Sequence, residues 1–161
     1  MQSDGEILDL IARAFSSSRR PEHFTDYTHC PECLDHDNLL QSRDLLSLRL
    51  EDVANACWDP ICFATPEGFS YYFPALARLA LLPPDDFYGW YAWQLLFQLN
   101  LDGAQNRHFL HFSPEQRQAL GAFLRHLEKT RSHLLKDYHC TEDFSSIMDT
   151  WFPNHRALGA E

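Results

Sequence analysis

The chain has 161 residues, with 13 Lys+Arg against 23 Asp+Glu for a formal net charge of −10, and it is 45% apolar and 14% aromatic. That length suits one domain spanning 1–161, which buries about 70% of the surface its unfolded chain exposes, and so apolar a composition excludes a disordered chain. Phosphates and anionic lipid heads repel a surface of this sign, which excludes sequence-independent nucleic-acid binding and attachment to a membrane surface and favours a basic protein partner.

The first residues, Met1 to Glu6, are acidic and lack the apolar stretch of a secretory leader. The most apolar segment, 87–99, is interrupted by Gln94 and Gln98 and is shorter than the ~20 residues of a membrane span. A soluble cytoplasmic protein is therefore expected. Five cysteines (30, 33, 57, 62 and 140) are an odd number at irregular spacing, unlike the framework of a disulfide-stapled secreted domain. In a reducing compartment they serve as thiols or as metal ligands.

The pattern reads as all-α. Ser3 or Asp4 caps a first helix with Ile7, Leu8, Ile11 and Phe15 on one face. From Pro21 to about Asn38 neither helical nor strand periodicity is present, so an irregular loop at 20–38 is expected, long enough that something must tie it down. A short helix follows over 48–57. Thr65-Pro66-Glu67 starts a helix over 65–81 with a capping hydroxyl, proline at the first position and an acid at the positive end of the dipole; Pro74 within it predicts a kink near 70–73. The segment 85–99 is apolar on nearly every side, which predicts a buried central helix capped by Asp85 or Asp86. Residues 107–112 read as an extended link. Ser113-Pro114-Glu115-Gln116 is a capping box that opens a helix over 113–135, and Thr141 starts a last one. The expected architecture is a single irregular bundle of five to six helices, with 65–81 and 113–135 packed against 85–99.

The one chemical clue lies at His29-Cys30-Pro31-Glu32-Cys33-Leu34-Asp35-His36. Cys-x-x-Cys places two thiolates on one turn, where both reach a single ion at ~2.3 Å. His29 and His36 flank the pair, so the segment offers three of the four ligands of tetrahedral zinc. His139-Cys140 is the best distant completion, being the other adjacent His/Cys pair; His23, Asp35 and Asp37 are alternatives. Two thiolates favour a closed structural zinc over a catalytic one. As an enzyme, the chain would use Cys30, Cys33 and one histidine, with Glu32 or Glu67 as base. A redox dithiol of the thioredoxin kind needs a strand–helix–strand setting that the pattern lacks, and the zinc-deaminase signature is absent.

Other candidates have ordinary structural readings. His108 and His111, three apart, precede the capping box and are expected outside a helix. Glu67 reads as a stabiliser of a helix start, and Tyr71, Tyr72 and Trp90 as core. Gly-x-Ser-x-Gly, phosphate-binding glycine loops and His-Glu-x-x-His are missing from the sequence.

Cys30-Pro31-Glu32-Cys33, then Thr65-Pro66-Glu67-Gly68-Phe69-Ser70-Tyr71-Tyr72-Phe73-Pro74-Ala75, then Phe112-Ser113-Pro114-Glu115-Gln116 together resemble a small bacterial family defined by a domain of unknown function. The resemblance covers roughly residues 5–130 and implies a soluble bacterial protein without an assigned activity. Residues 136–161, with His139-Cys140, lie outside it. The function expected from the residues is that of a non-enzymatic acidic interaction module, adaptor-like or immunity-like, with a structural zinc clamp.

Overall fold

The computed structural model describes residues 2–154. Met1 and 155–161, the two ends of the expected 1–161 domain, lie outside the described residues. Eight α-helices are present among the described residues: α1 (Asp4–Ala14), α2 (Pro31–Gln41), α3 (Leu50–Val53), α4 (Pro66–Ala80), α5 (Ala92–Asn100), α6 (Arg107–His111), α7 (Pro114–Asp137) and α8 (Thr141–Trp151). Two 3-10 turns, Pro60–Phe63 and Gly103–Gln105, join them. The expected all-α class holds, with more and shorter helices than five or six. No helix among the described residues is long and apolar enough to cross a membrane.

The strongest local signals behave as the residues dictate. Ser3 and Glu6 form a reciprocal capping box on α1, and Ser113 and Gln116 do the same on α7. Thr65 caps α4 through Gly68 N, with Pro66 in the first turn. Phe69, Tyr72, Phe73, Leu76 and Leu79 of α4 are buried, and α4 packs against α1, α5 and α6. Its Phe73 meets Phe15, Phe69, Phe112 and Phe123, with ring centroids 4.7 to 6.2 Å apart, an aromatic hub in which edge and stacked pairs add to burial. Pro74 lies within α4; the helical residue with non-helical dihedral angles is instead Arg131 of α7 (φ −136°, ψ 27°).

Three elements correct the expectations. The helix predicted over 85–99 begins at Ala92. Residues 85–91 turn back instead: the Asp85 carboxylate accepts the amides of Phe87 and Tyr88, and Asp85 and Gly89 exchange both backbone hydrogen bonds. Gly89 sits at φ +72°, where a Cβ would also meet the Tyr138 ring at 3.2 Å, so only glycine fits there. Nor is the apolar surround buried: Phe87 and Phe97 are exposed, whereas Gln94 and Gln98 are buried. The segment 107–112 is helical through His111, because the Asn106 side chain accepts from both His108 N and Phe109 N and so caps it. Finally, α7 packs chiefly on α1 and α8 rather than on α5; Asp4 accepts from Arg131 at 2.6 and 3.1 Å and pairs with His126 Nε2 at 2.6 Å, which ties α1 to α7.

Candidate metal centre

The loop expected over 20–38 ends at residue 30, where α2 begins. Cys30 is extended (φ −160°, ψ 165°), its sulfur accepts from Cys33 N, and Pro31 opens the helix. A sulfur thus takes the place that a hydroxyl or carboxylate usually holds at a helix start. The buried face of α2 consists of Cys33, His36, Asp37 and Leu40. The spacing is helical, but three of the four residues are polar or sulfur-bearing, so a search for apolar period passes over it.

This start brings three ligand atoms together. His29, Cys30 and Cys33 each place one donor atom within 4.8 Å of the others. The two sulfurs are 3.3 Å apart, and His29 Nδ1 lies 3.7 Å from Cys33 Sγ. His29 is exposed, Cys30 half-buried and Cys33 buried, so the group opens to solvent on one side. The hydrogen bond from Cys33 N, the neighbouring His29 and the second thiol hold the Cys30 thiol below its ordinary range, as expected of a sulfur at the positive end of a helix. Interaction with Cys30 and burial push Cys33 up, and His29 is raised by its contact with Cys30. Two cysteine sulfurs and one imidazole form a borderline-soft donor set that could hold a metal ion.

The loop before α2 is held by something other than this cluster. The fully buried Asp37 carboxylate accepts from Phe24 N at 2.6 Å, from Thr25 N at 3.1 Å and from Gln41 Nε2 at 2.9 Å, and it pairs with His23 Nδ1 at 2.7 Å. Thr25 Oγ1 donates to the Cys33 carbonyl, and Thr65 N donates to the Phe24 carbonyl. Phe24 lies on the first turn of α4, where a Cβ on Gly68 would stand 3.1 Å from its ring and its carbonyl oxygen. His23 and Asp37, alternative ligands by sequence, thus bond to each other. Asp37→Ala strands two buried amide donors, and we expect it to lower stability by about 2–4 kcal/mol in urea unfolding.

The structure places the remaining candidates elsewhere. His36 is fully buried between Trp58 and Phe63, with ring centroids 4.5 and 4.6 Å away, and neither ring nitrogen has a hydrogen-bond partner. Its nearest acid is Glu32, at 3.6 Å from Nε2. His139, at φ +53°, precedes α8, and the buried Cys140 directs its sulfur at the Leu135 carbonyl, 3.6 Å away. Neither belongs to the three-residue group. Glu67 lines a separate polar hollow with Ser17, Arg19, Ser70 and His111. His108 is buried and stacks on Phe69 at 3.9 Å.

Asp59 and Gln94, neither of them a site candidate by sequence, are both buried and bonded to each other. The available signal was Asp59-Pro60, an Asx cap before proline, and a glutamine inside an apolar run. No protein-family model matches the chain, and neither a curated protein nor a solved structure matches it.

Proposed function

We propose that the chain is a non-enzymatic, acidic protein-interaction module that carries a zinc ion on His29, Cys30 and Cys33, and that its partner is basic. The observation that carries the metal reading is the convergence of three donor atoms of zinc-binding type within 4.8 Å at the start of α2. The formal charge of −10 supports the choice of partner. Three ligands leave one position of a tetrahedral ion to water or to a side chain of the partner.

The placement of the acids favours this over a zinc hydrolase. Glu67 lines a different hollow, and the Glu32 carboxylate approaches His36 Nε2 at 3.6 Å, which supports a non-catalytic ion over one that uses Glu67 as base. A dithiol–disulfide couple is the second reading, supported by the 3.3 Å between the sulfurs and by the lowered Cys30 thiol.

Elemental analysis separates these readings. We expect purified chain to retain one zinc after gel filtration and Cys33→Ser or His29→Ala to lose it. Metal-free protein with an unchanged melting temperature after zinc addition overturns the clamp. A Cys30–Cys33 disulfide that equilibrates with glutathione in such metal-free protein favours the dithiol.

A further inference from the structure

Asp59, Cys62, Gln94, Gln98, Trp93 and Phe97 line a cavity of about 230 Å³ between the 3-10 turn and α5. It shares no residue with the Cys/His turn. Its volume is below the ~300–1,000 Å³ of sites for drug-sized molecules, so an occupant is small. Asp59, Gln94 and Gln98 are each more than nine-tenths buried, whereas Phe97 is half exposed at the mouth.

The donors and acceptors at this cavity do not balance. Gln94 Nε2 donates to the Val53 carbonyl at 3.1 Å and to Asp59 Oδ2 at 3.3 Å, and Gln98 Nε2 donates to Cys62 Sγ at 2.8 Å. Both N–H groups of the Gln94 amide are therefore committed. Gln94 Oε1 is buried without any partner, a costly state for an amide oxygen. Asp59 Oδ1 accepts from Ile61 N at 2.9 Å, Oδ2 takes the long bond from Gln94, and the Cys62 thiol donates to the same carboxyl group. Among the described residues no ion pair reaches Asp59. The site thus offers an unpartnered amide oxygen and a buried carboxyl group that no cation faces among the described residues, beside two aromatic rings. Its complement is a cationic donor on an apolar body.

We propose that this cavity binds a small primary ammonium compound with a short aromatic or aliphatic body, its N–H groups on Asp59 and Gln94 and its body against Trp93 and Phe97. Charge pairing requires Asp59 to be ionised, and burial has pushed its carboxyl up to about 7. The titratable groups facing it are the Cys62 thiol, pushed by burial to about 12, and the Tyr91 phenol, also raised by burial. Both stay neutral between pH 5 and 8, so Asp59 alone sets the pH dependence over that range.

Benzylamine is the probe, titrated into the intact chain by calorimetry and followed at the Trp93 indole by NMR. The expected result is saturable one-to-one binding that tightens by more than about tenfold from pH 5 to pH 8, with about half a proton released per ligand bound near neutrality. Benzyl alcohol, with the same body and no charge, does not bind. Asp59→Asn, which keeps an oxygen for Ile61 N, loses the binding, and Phe97→Ala, at a half-exposed position, weakens it with an unchanged melting temperature. The proposal is overturned if benzyl alcohol binds as well as benzylamine, if Asp59→Asn binds equally, or if no saturable binding is seen at pH 8.

Discussion

At pH 8, Asp59→Asn is expected to stabilise the fold by roughly 4 kcal/mol, about 10 °C in melting temperature, and at pH 4 by close to nothing. Asp59 is 3% exposed, and burial raises its carboxyl from 3.8 to about 7. The folded pKa lies above the unfolded one. The favourable contribution of the neutral acid is therefore fully present below about pH 4 and is lost as pH rises through 7. Asparagine matches the shape of the neutral acid and retains an oxygen for the Ile61 amide, which Asp59 Oδ1 now accepts, so it removes the titration while leaving the cap in place. Differential scanning calorimetry of parent and variant at the two pH values checks this. Equal gains at both would mean that the carboxyl is not held neutral by its surroundings. A protein that keeps such a group pays in stability near neutral pH, which is the pattern expected of a residue retained for binding.

His108→Phe is expected to act in the opposite direction, gaining roughly 3 kcal/mol on the parent at pH 4 relative to pH 8. Burial, helped by the charges of Arg107 and His111, lowers the His108 imidazole from 6.5 to about 3. Here the folded pKa lies below the unfolded one. Stability is complete above about pH 6.5 and is lost as pH falls toward 3. Phenylalanine keeps the stack on Phe69 and removes Nδ1, which is buried without a partner. The Asp59 and His108 windows overlap between about pH 4 and 6.5 with opposite slopes, so the two groups largely cancel in the parent chain. Each single variant exposes the other's slope: Asp59→Asn becomes acid-sensitive, and His108→Phe becomes base-sensitive. The double variant returns to a nearly flat profile, because the two sites share no hydrogen-bond partner and their effects add. Urea midpoints measured across this range for the four proteins decide the matter; parallel profiles would refute the assignment of both slopes. Asp4, Asp44 and Asp85, each held low by hydrogen bonds, add a separate acid loss only below about pH 4.

The fold class and the best-capped helices were legible in the residues. Ser3/Glu6, Thr65-Pro66 and Ser113/Gln116 each satisfy the first amides of their own helix, and such bonds form within four residues whatever packs around them. The Cys30/Cys33 pairing was equally local, because Cys-x-x-Cys at the start of a helix closes on itself; His29 needed only the turn that precedes it. In α4 the apolar residues Phe69, Tyr72, Phe73, Leu76 and Leu79 recur at helical spacing and all are buried, since one stripe at period 3.6 has one way to reach a core.

Where the residues misled, the cause was long-range. α2 has a helical buried face made of Cys33, His36, Asp37 and Leu40, and such a face is intelligible only once Asp37 has the amides of Phe24 and Thr25 to accept. The turn at 85–91 was hidden in an apolar run because the choice against helix lies in Asp85 bonding backward and in a glycine at positive φ lying against Tyr138, nearly fifty residues away. In the same way, sequence offered His36 because it flanks the cysteine pair and Cys140 because it adjoins a histidine, whereas packing directs Cys140 to Leu135 and encloses His36 between Trp58 and Phe63. By itself the sequence determined what can be satisfied within one helical turn: caps, stripes and the two-cysteine turn. Tertiary structure decided which polar groups are shut away from water, because burial is a property of every segment that packs over a residue; on that burial rest the raised Asp59 carboxyl, the lowered His108 imidazole and the cavity beside Gln94.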